Sequence, residues 1–284
     1  MKLLTADNFS YAELTEAYNQ TRVDYMVPMP MNEARLRKYS RIYDVDLAHS
    51  WVAVEDDLIM GLAMLGARHG RTWITRLGVL PFGRREGTGT ALVEGLISSS
   101  NALNAHTLWL EVIKGNKPAH TLFTKFGFVE TRELIVARRP PGPLPDQYTG
   151  PWIKSVSDLN HEDALILLAH RKDRPNWLNE NETFQHLSNL SALVVELEDG
   201  SKGWVTYHAS LLQLTRIIVE VVSGDPTHVT TAVLHALHTR HSNQDATTEN
   251  LLDDAVWRGF EAVGYFDPFR RIEMKCPLQD KPTE

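Results

Sequence analysis

The segment PFGRREGTGTALVEGL, residues 81–96, sets Arg84, Arg85 and the glycines 87 and 89 immediately before an apolar run with helical spacing. Val79-Leu80-Pro81 closes the preceding strand-like stretch TWITRLGVL, residues 72–80. A strand, a glycine-bearing turn and a helix start make an anion site. The first amides of a helix lack intrahelical partners, and the helix dipole adds partial positive charge there. Gly87 and Gly89 let a phosphate group come close to the backbone, and turn amides can form a nest. Arg84 and Arg85 add forked donors. No Gly-Lys-Ser/Thr follows, and the spacing is not GxGxxG, so neither nucleotide-loop motif is present.

Outward from that loop, the first half alternates helices and strands. SYAELTEAYNQTRV (10–23) starts on a serine suited to capping, and NEARLRKYSRIY (32–43) is a second helix. SWVAVEDDLIMGLAMLGA (50–67) reads as two strands around Asp56-Asp57. A helix at 87–103, a strand at 106–113, a short helix at 116–127 ending on glycine, and a strand at 128–139 complete it. The stretch ARRPPGPLPDQYTGPW (137–152) carries five prolines and breaks any regular element. It divides the chain into residues 1–139, a linker at 140–151, and residues 152–284.

The second half repeats the order. Strand, turn and strand fall in 192–209, a strand at 214–222 and a helix at 230–241. FTKFGFVETRELIVAR (123–138) lies over FEAVGYFDPFRRIEMK (260–275), with Gly127 on Gly264 and Phe123 on Phe260. Repetition of element order marks an internal duplication.

Strand–VLPFGRREGTGTAL–helix resembles the acetyl-CoA signature of the GNAT superfamily of N-acyltransferases. LEVIKGNKPAHTLFTKFGF (110–128) resembles the strand and helix that follow it in that family, with Asn116, Ala119, Leu122 and Gly127-Phe128 in place. The whole chain is similar to the tandem-GNAT layout of mycothiol-synthase-like enzymes. The fold class implied is α/β (α+β), with two tandem GNAT-like domains, each a mixed, mostly antiparallel central sheet flanked by helices. The resemblance implies an acetyl-CoA-dependent N-acetyltransferase. Its diphosphate would rest on Arg84, Arg85, Glu86, Gly87, Thr88, Gly89 and Thr90, and its pantetheine arm along Leu77–Val79. Asn116 and Phe123 would meet the arm. A backbone amide near Leu77–Val79 would polarise the thioester carbonyl.

Proton transfer is less plain. Many members of the family carry a tyrosine seven residues after the asparagine; here that position is Phe123, which cannot donate. His120, one turn away, is the candidate acid, and Glu111 on the strand before it the candidate base. Asp24, Tyr25 and Met26, in RVDYMVPMPM (22–31), are the candidate acceptor-side residues, and the methionines offer an adaptable lining. Aligned on their helices, Arg84 falls on Asp225, Gly87 on His228 and Gly89 on Thr230, so the second domain is expected to have lost the acetyl-CoA site.

The net charge of −7 gives no global basic field for nucleic acid. No run of about 18 apolar residues would span a membrane, and residues 1–20 do not read as a signal peptide. Cys276, the single cysteine, rules out an intrachain disulfide and a thiolate-rich zinc site. His235, His238 and His241 are spaced by threes without an acidic partner, so no metal is expected. The expectation is a cytoplasmic enzyme with a small-molecule or peptide amine as acceptor, present as a monomeric pseudo-dimer or a homodimer.

Overall fold

The computed structural model describes residues 1–27, 29–84, 86–145, 153–172 and 174–278. It separates into two compact units, residues 1–132 with 272–284, and residues 133–271.

The first unit runs β1 (Lys2–Thr5), α1 (Tyr11–Gln20), α2 (Glu33–Ile42), β2 (Val45–Glu55), β3 (Leu58–Arg68), β4 (Arg71–Val79), α3 (Thr88–Ala102), β5 (Thr107–Ile113), α4 (Lys117–Lys125) and the start of β6 (Val129–Arg139). Strands β1 to β5 lie in chain order across its sheet. The next place is taken by residues 272–277 of the chain's final strand, β12 (Phe266–Pro277). Neighbours are antiparallel from β1 to β4, and β4–β5 is parallel.

Ser10 caps α1 as expected. Its side chain accepts from the Glu13 amide at 3.2 Å, and the Ser10 amide donates to the Glu13 carboxylate at 2.7 Å, a closed capping box. The apolar run of β3 does not alternate because both of its faces are covered. Leu62 and Met64 pack with Leu14, Tyr18 and Leu36 of α1 and α2. Ala63 and Leu65 pack with Leu92, Val93 and Leu96 of α3. Met274 and Cys276 of β12 belong to that second cluster, beside Phe123 and Phe128.

The second unit holds the rest of β6, then β7 (Ile153–Leu159), α5 (His161–Ala169), α6 (Asn181–Gln185), β8 (Ser191–Leu197), β9 (Lys202–Ala209), β10 (Gln213–Ser223), α7 (Pro226–Arg240), β11 (Asp245–Leu251) and α8 (Ala255–Ala262). Its strand order is β6, β11, β10, β9, β8, β7, and β10–β11 is its parallel pair. The duplicated element order of the sequence is thus a duplicated sheet plan, mixed but mostly antiparallel.

The units do not follow the halves 1–139 and 152–284. Each sheet is continued past its parallel pair by a strand whose sequence lies in the other half. Strand alternation is the same whichever neighbour a strand pairs with, so the sequence carries no mark of this exchange. The Pro/Gly stretch is described as far as residue 145. Buried Arg139 ties it down, donating to the carbonyls of Pro140 at 3.3 Å, Gly142 at 3.1 Å and Pro143 at 3.0 Å, and to Val263 at 2.8 Å.

His238 is fully buried in α7, with Nε2 3.0 Å from the Tyr265 hydroxyl. Burial, with Arg139 and the neighbouring His241 and His235 adding to it, pushes its imidazole from 6.5 down to about 3. It is neutral in the fold and protonated more readily when unfolded. Its contribution is therefore complete above pH 6.5 and is lost as pH falls toward 3. Denaturant unfolding between pH 6.5 and 5 should show stability declining with acidification, this group adding up to about 1.4 kcal/mol per pH unit. His238→Gln should be less stable at pH 7 and decline less steeply; an unchanged slope would remove His238 as the cause.

Candidate functional site

Strands β4 and β5 pair from Arg71–Thr107 to Ile74–Leu110 and no further, although β4 runs to Val79 and β5 to Ile113. The cause lies on β4. Its register to β3 jumps between Leu62–Gly78 and Met64–Thr75, so Arg76 and Leu77 together oppose Ala63. Arg76 has φ +53°. This is a bulge, and it turns Thr75 and Arg76 to the same face. Beyond it, the Leu80 amide donates to Met60 at 2.8 Å. By alternation, the backbone groups of Leu77 and Val79 then face away from β3, into the gap where β5 has left.

Helix α3 starts at the end of that edge. Gly87 is its N-cap, with φ +90° and no side chain to cap the first-turn amides. Thr88 is buried, Thr90 half-buried and Glu86 exposed. A β-carbon on Gly89 would stand 3.3 Å from Leu122 and 3.8 Å from Val79. Arg85 lies outside the described residues. Arg84 does not turn toward these amides. It forms a forked pair with Asp24 at 2.6 and 2.8 Å and donates to the carbonyls of Val79 at 3.1 Å and Thr21 at 3.3 Å. That guanidinium holds the Asp24 carboxyl below the usual range.

The corresponding helix in the second unit is built differently. Asp225 is the N-cap of α7, and its carboxylate accepts from the His228 amide at 2.9 Å. Matched cap to cap, Asp225 stands where Gly87 stands, not where Arg84 does. Its own carboxylate fills the place an anion would take.

The face of β4 toward α1 and α2 gathers a cluster the sequence reading missed. The Arg76 guanidinium lies 4.1 Å over the Tyr39 ring and 5.4 Å from the Tyr18 ring, and it donates to the Tyr18 hydroxyl at 3.2 Å. The Tyr39 hydroxyl is 2.6 Å from Thr75 Oγ1. Burial pushes the Tyr39 phenol up to about 12, so it stays neutral at any ordinary pH. Glu111 lies on this face too, since its neighbours Leu110 and Val112 pack toward α3, and its charge adds to the rise at Tyr39. The Arg22 guanidinium carbon lies 4.6 Å over each of the Tyr18 and Tyr25 rings, and Arg22 donates to the Leu77 carbonyl at 3.3 Å.

The loop after α1 is fastened over this cluster. Tyr18 donates to the Met29 carbonyl at 3.0 Å, and Asn19 brackets Met31 through its carbonyl at 2.9 Å and its amide at 3.0 Å. Met31 is buried, while Met26 is exposed and reaches the turn before α4, 3.6 Å from where a Gly115 β-carbon would be. A signal for the cluster was available. Thr75-Arg76 in β4 recurs as Thr215-Arg216 in β10, and Arg216 also has φ +57° at a register break.

The residues after β5 divide. Asn116 caps α4, accepting from the Ala119 amide at 3.3 Å. His120 points to Glu130, 2.7 Å away. Phe123 is buried against Phe128, with ring centroids 5.6 Å apart. Among the described residues their side-chain hydrogen bonds and ring contacts lead to Ala119, Glu130 and Phe128 and not to the Arg76 cluster. Among the described residues no group of three or more side chains is arranged to hold a metal.

Residues 11–128 match the acetyltransferase (GNAT) family. Among curated proteins none matches. A tandem GNAT protein from the clavulanic acid biosynthesis pathway superimposes with a TM-score of 0.66 at 13% identity, covering 99% of this chain and 100% of that one. A GCN5-related N-acetyltransferase from Sphaerobacter thermophilus gives 0.68 at 15% identity, covering 95% and 93%. One from Anabaena variabilis gives 0.57 at 13% identity, covering 98% and 73%.

Gly78 is the position where α1 and β4 meet. A β-carbon there would lie 2.3 Å from Thr21 Oγ1 and 2.8 Å from Thr21 Cβ, and Thr21 is buried. Gly78→Ala should lower stability by about 1–3 kcal/mol, as overpacking does. Thr21→Gly in the same chain should restore part of it in thermal denaturation. Equal melting of Gly78→Ala and the native chain would show that the approach is looser than this.

Proposed function

We propose that the first unit transfers an acetyl group from acetyl-CoA to an amine; residues 11–128 match the acetyltransferase (GNAT) family, and the chain shares its fold with a tandem GNAT protein. The observation that carries this reading is the parting of β4 and β5 at a bulge, beside a helix start left without a side-chain cap. The amides of residues 87–90 would hold the diphosphate, and the Leu77–Val79 edge would pair with the pantetheine arm. An amide of that edge would polarise the thioester carbonyl.

The acceptor would enter from the α1–α2 face. Its nitrogen attacks the carbonyl carbon, the C–S bond breaks, and the proton lost from nitrogen passes to Glu111 or to water. The departing sulfur carries the electron pair as thiolate, a leaving group stable enough to go without an acid. That fits Phe123, which is buried and has no proton to give, and His120, which is turned to Glu130. The small-molecule or peptide nature of the amine follows from the family resemblance alone. Phe123 also favours a second reading, an acyl-CoA-binding protein without turnover.

Calorimetry with acetyl-CoA, followed by free-CoA release over a panel of amines, separates the two. Binding with release supports transfer, binding without release for any amine supports the second reading, and no binding removes both. Gly89→Val fills the approach against Leu122 and should weaken acetyl-CoA binding at least about 10-fold while the chain still melts cooperatively. Stoichiometry should be one acetyl-CoA per chain, since Asp225 occupies the helix start of the second unit; a measured two would show that unit binding as well.

A further inference from the structure

We propose that Arg22 is a specificity-determining residue that reads a carboxylate on the acceptor, so that the amine substrate is an amino acid or another small amine bearing a carboxylate. The inference rests on the transferase reading above. Tyr18 and Tyr25 each have their ring centroid 4.6 Å from the carbon of its planar guanidinium, so two aromatic faces hold it. A guanidinium has five N–H donors in that plane. Among the described residues its one acceptor is the Leu77 carbonyl, at the long distance of 3.3 Å, and its Nε is buried without a hydrogen-bond partner. Among the described residues no carboxylate meets Arg22. Asp24, the nearest in sequence, is held by Arg84.

A cation fixed by two aromatic faces, partly buried and without an anion is arranged for bidentate recognition of one. The anion is not a cofactor phosphate, because those belong at the α3 amides, and Arg22 follows α1 at Leu77 on the opposite face. At Leu77 Arg22 is beside the stretch where the thioester carbonyl would lie. A carboxylate gripped there would hold an amine a few atoms away close to that carbon.

The test compares amines as acid and carboxamide pairs, glycine with glycinamide and β-alanine with β-alaninamide, in native protein, Arg22→Met and Arg22→Lys. The ratio of kcat/KM for acid over carboxamide should fall about 10- to 100-fold in Arg22→Met and partly recover in Arg22→Lys. Comparing ratios between proteins removes the difference in amine basicity. Ligand-observed NMR of N-acetylglycine against N-acetylglycinamide, with CoA present, gives a readout without turnover. Contact with the acid that disappears in both substituted chains, or survives only in Arg22→Lys, supports the proposal. An unchanged ratio, or equal contact in Arg22→Met, overturns it. If no amine is acetylated, the transferase reading fails and the NMR comparison still decides the role of Arg22.

Discussion

A residue with a β-carbon held at positive φ in mid-strand is costly, and Arg76 is such a residue. The left-handed conformation costs roughly 1–2 kcal/mol and persists only where the surroundings enforce it. Here Tyr18 and Tyr39 grip the side chain that the bulge turns toward them. With the bulge in place, β4 cannot stay in register with β5, the edge at Leu77–Val79 is freed, and α3 begins where that edge ends. Removing the bulge would let the parallel pair run on and close the gap. The strain at one residue therefore sets the position of everything proposed to touch the cofactor.

Much of this was legible in the sequence because it rests on short-range rules. Ser10 announces its capping box, Gly87 and Gly89 announce a helix start close to backbone, and the order of elements announces the duplicated plan. What was not legible depends on partners far away in the chain. Arg84 read as a phosphate donor, yet its side chain is spent on Asp24. His120 and Phe123 read as site residues from their place on a helix, and tertiary packing turned one to Glu130 and the other into the core. Tyr18, Tyr39 and Arg76 escaped because an aromatic at helical spacing and an arginine in a strand look like ordinary core and surface. Only the recurrence of Thr-Arg in both halves could have marked the bulge.

The two units show how one helix start can be kept or closed with a single position. Gly87 leaves the first-turn amides of α3 to whatever approaches. Asp225 satisfies one of the amides of α7 from within the chain and brings a negative charge to the same spot. The change also stabilises α7 slightly, since an aspartate cap is favoured over a glycine one by roughly a few tenths of a kcal/mol. An open helix start thus costs stability where it is kept.

The strand that follows β5 in the first unit is the last strand of the chain, and Met274 and Cys276 from it sit in the core with Phe123 and Phe128. Synthesis runs from the N-terminus. The unit that is encoded first therefore cannot complete its core until the segment carrying Met274 and Cys276 has been made. Until then its sheet has an open position beside β5, and its hydrophobic side chains wait there for a segment some 150 residues away. Residues 133–271, the whole of the second unit, are thus synthesised before the core of the first is closed.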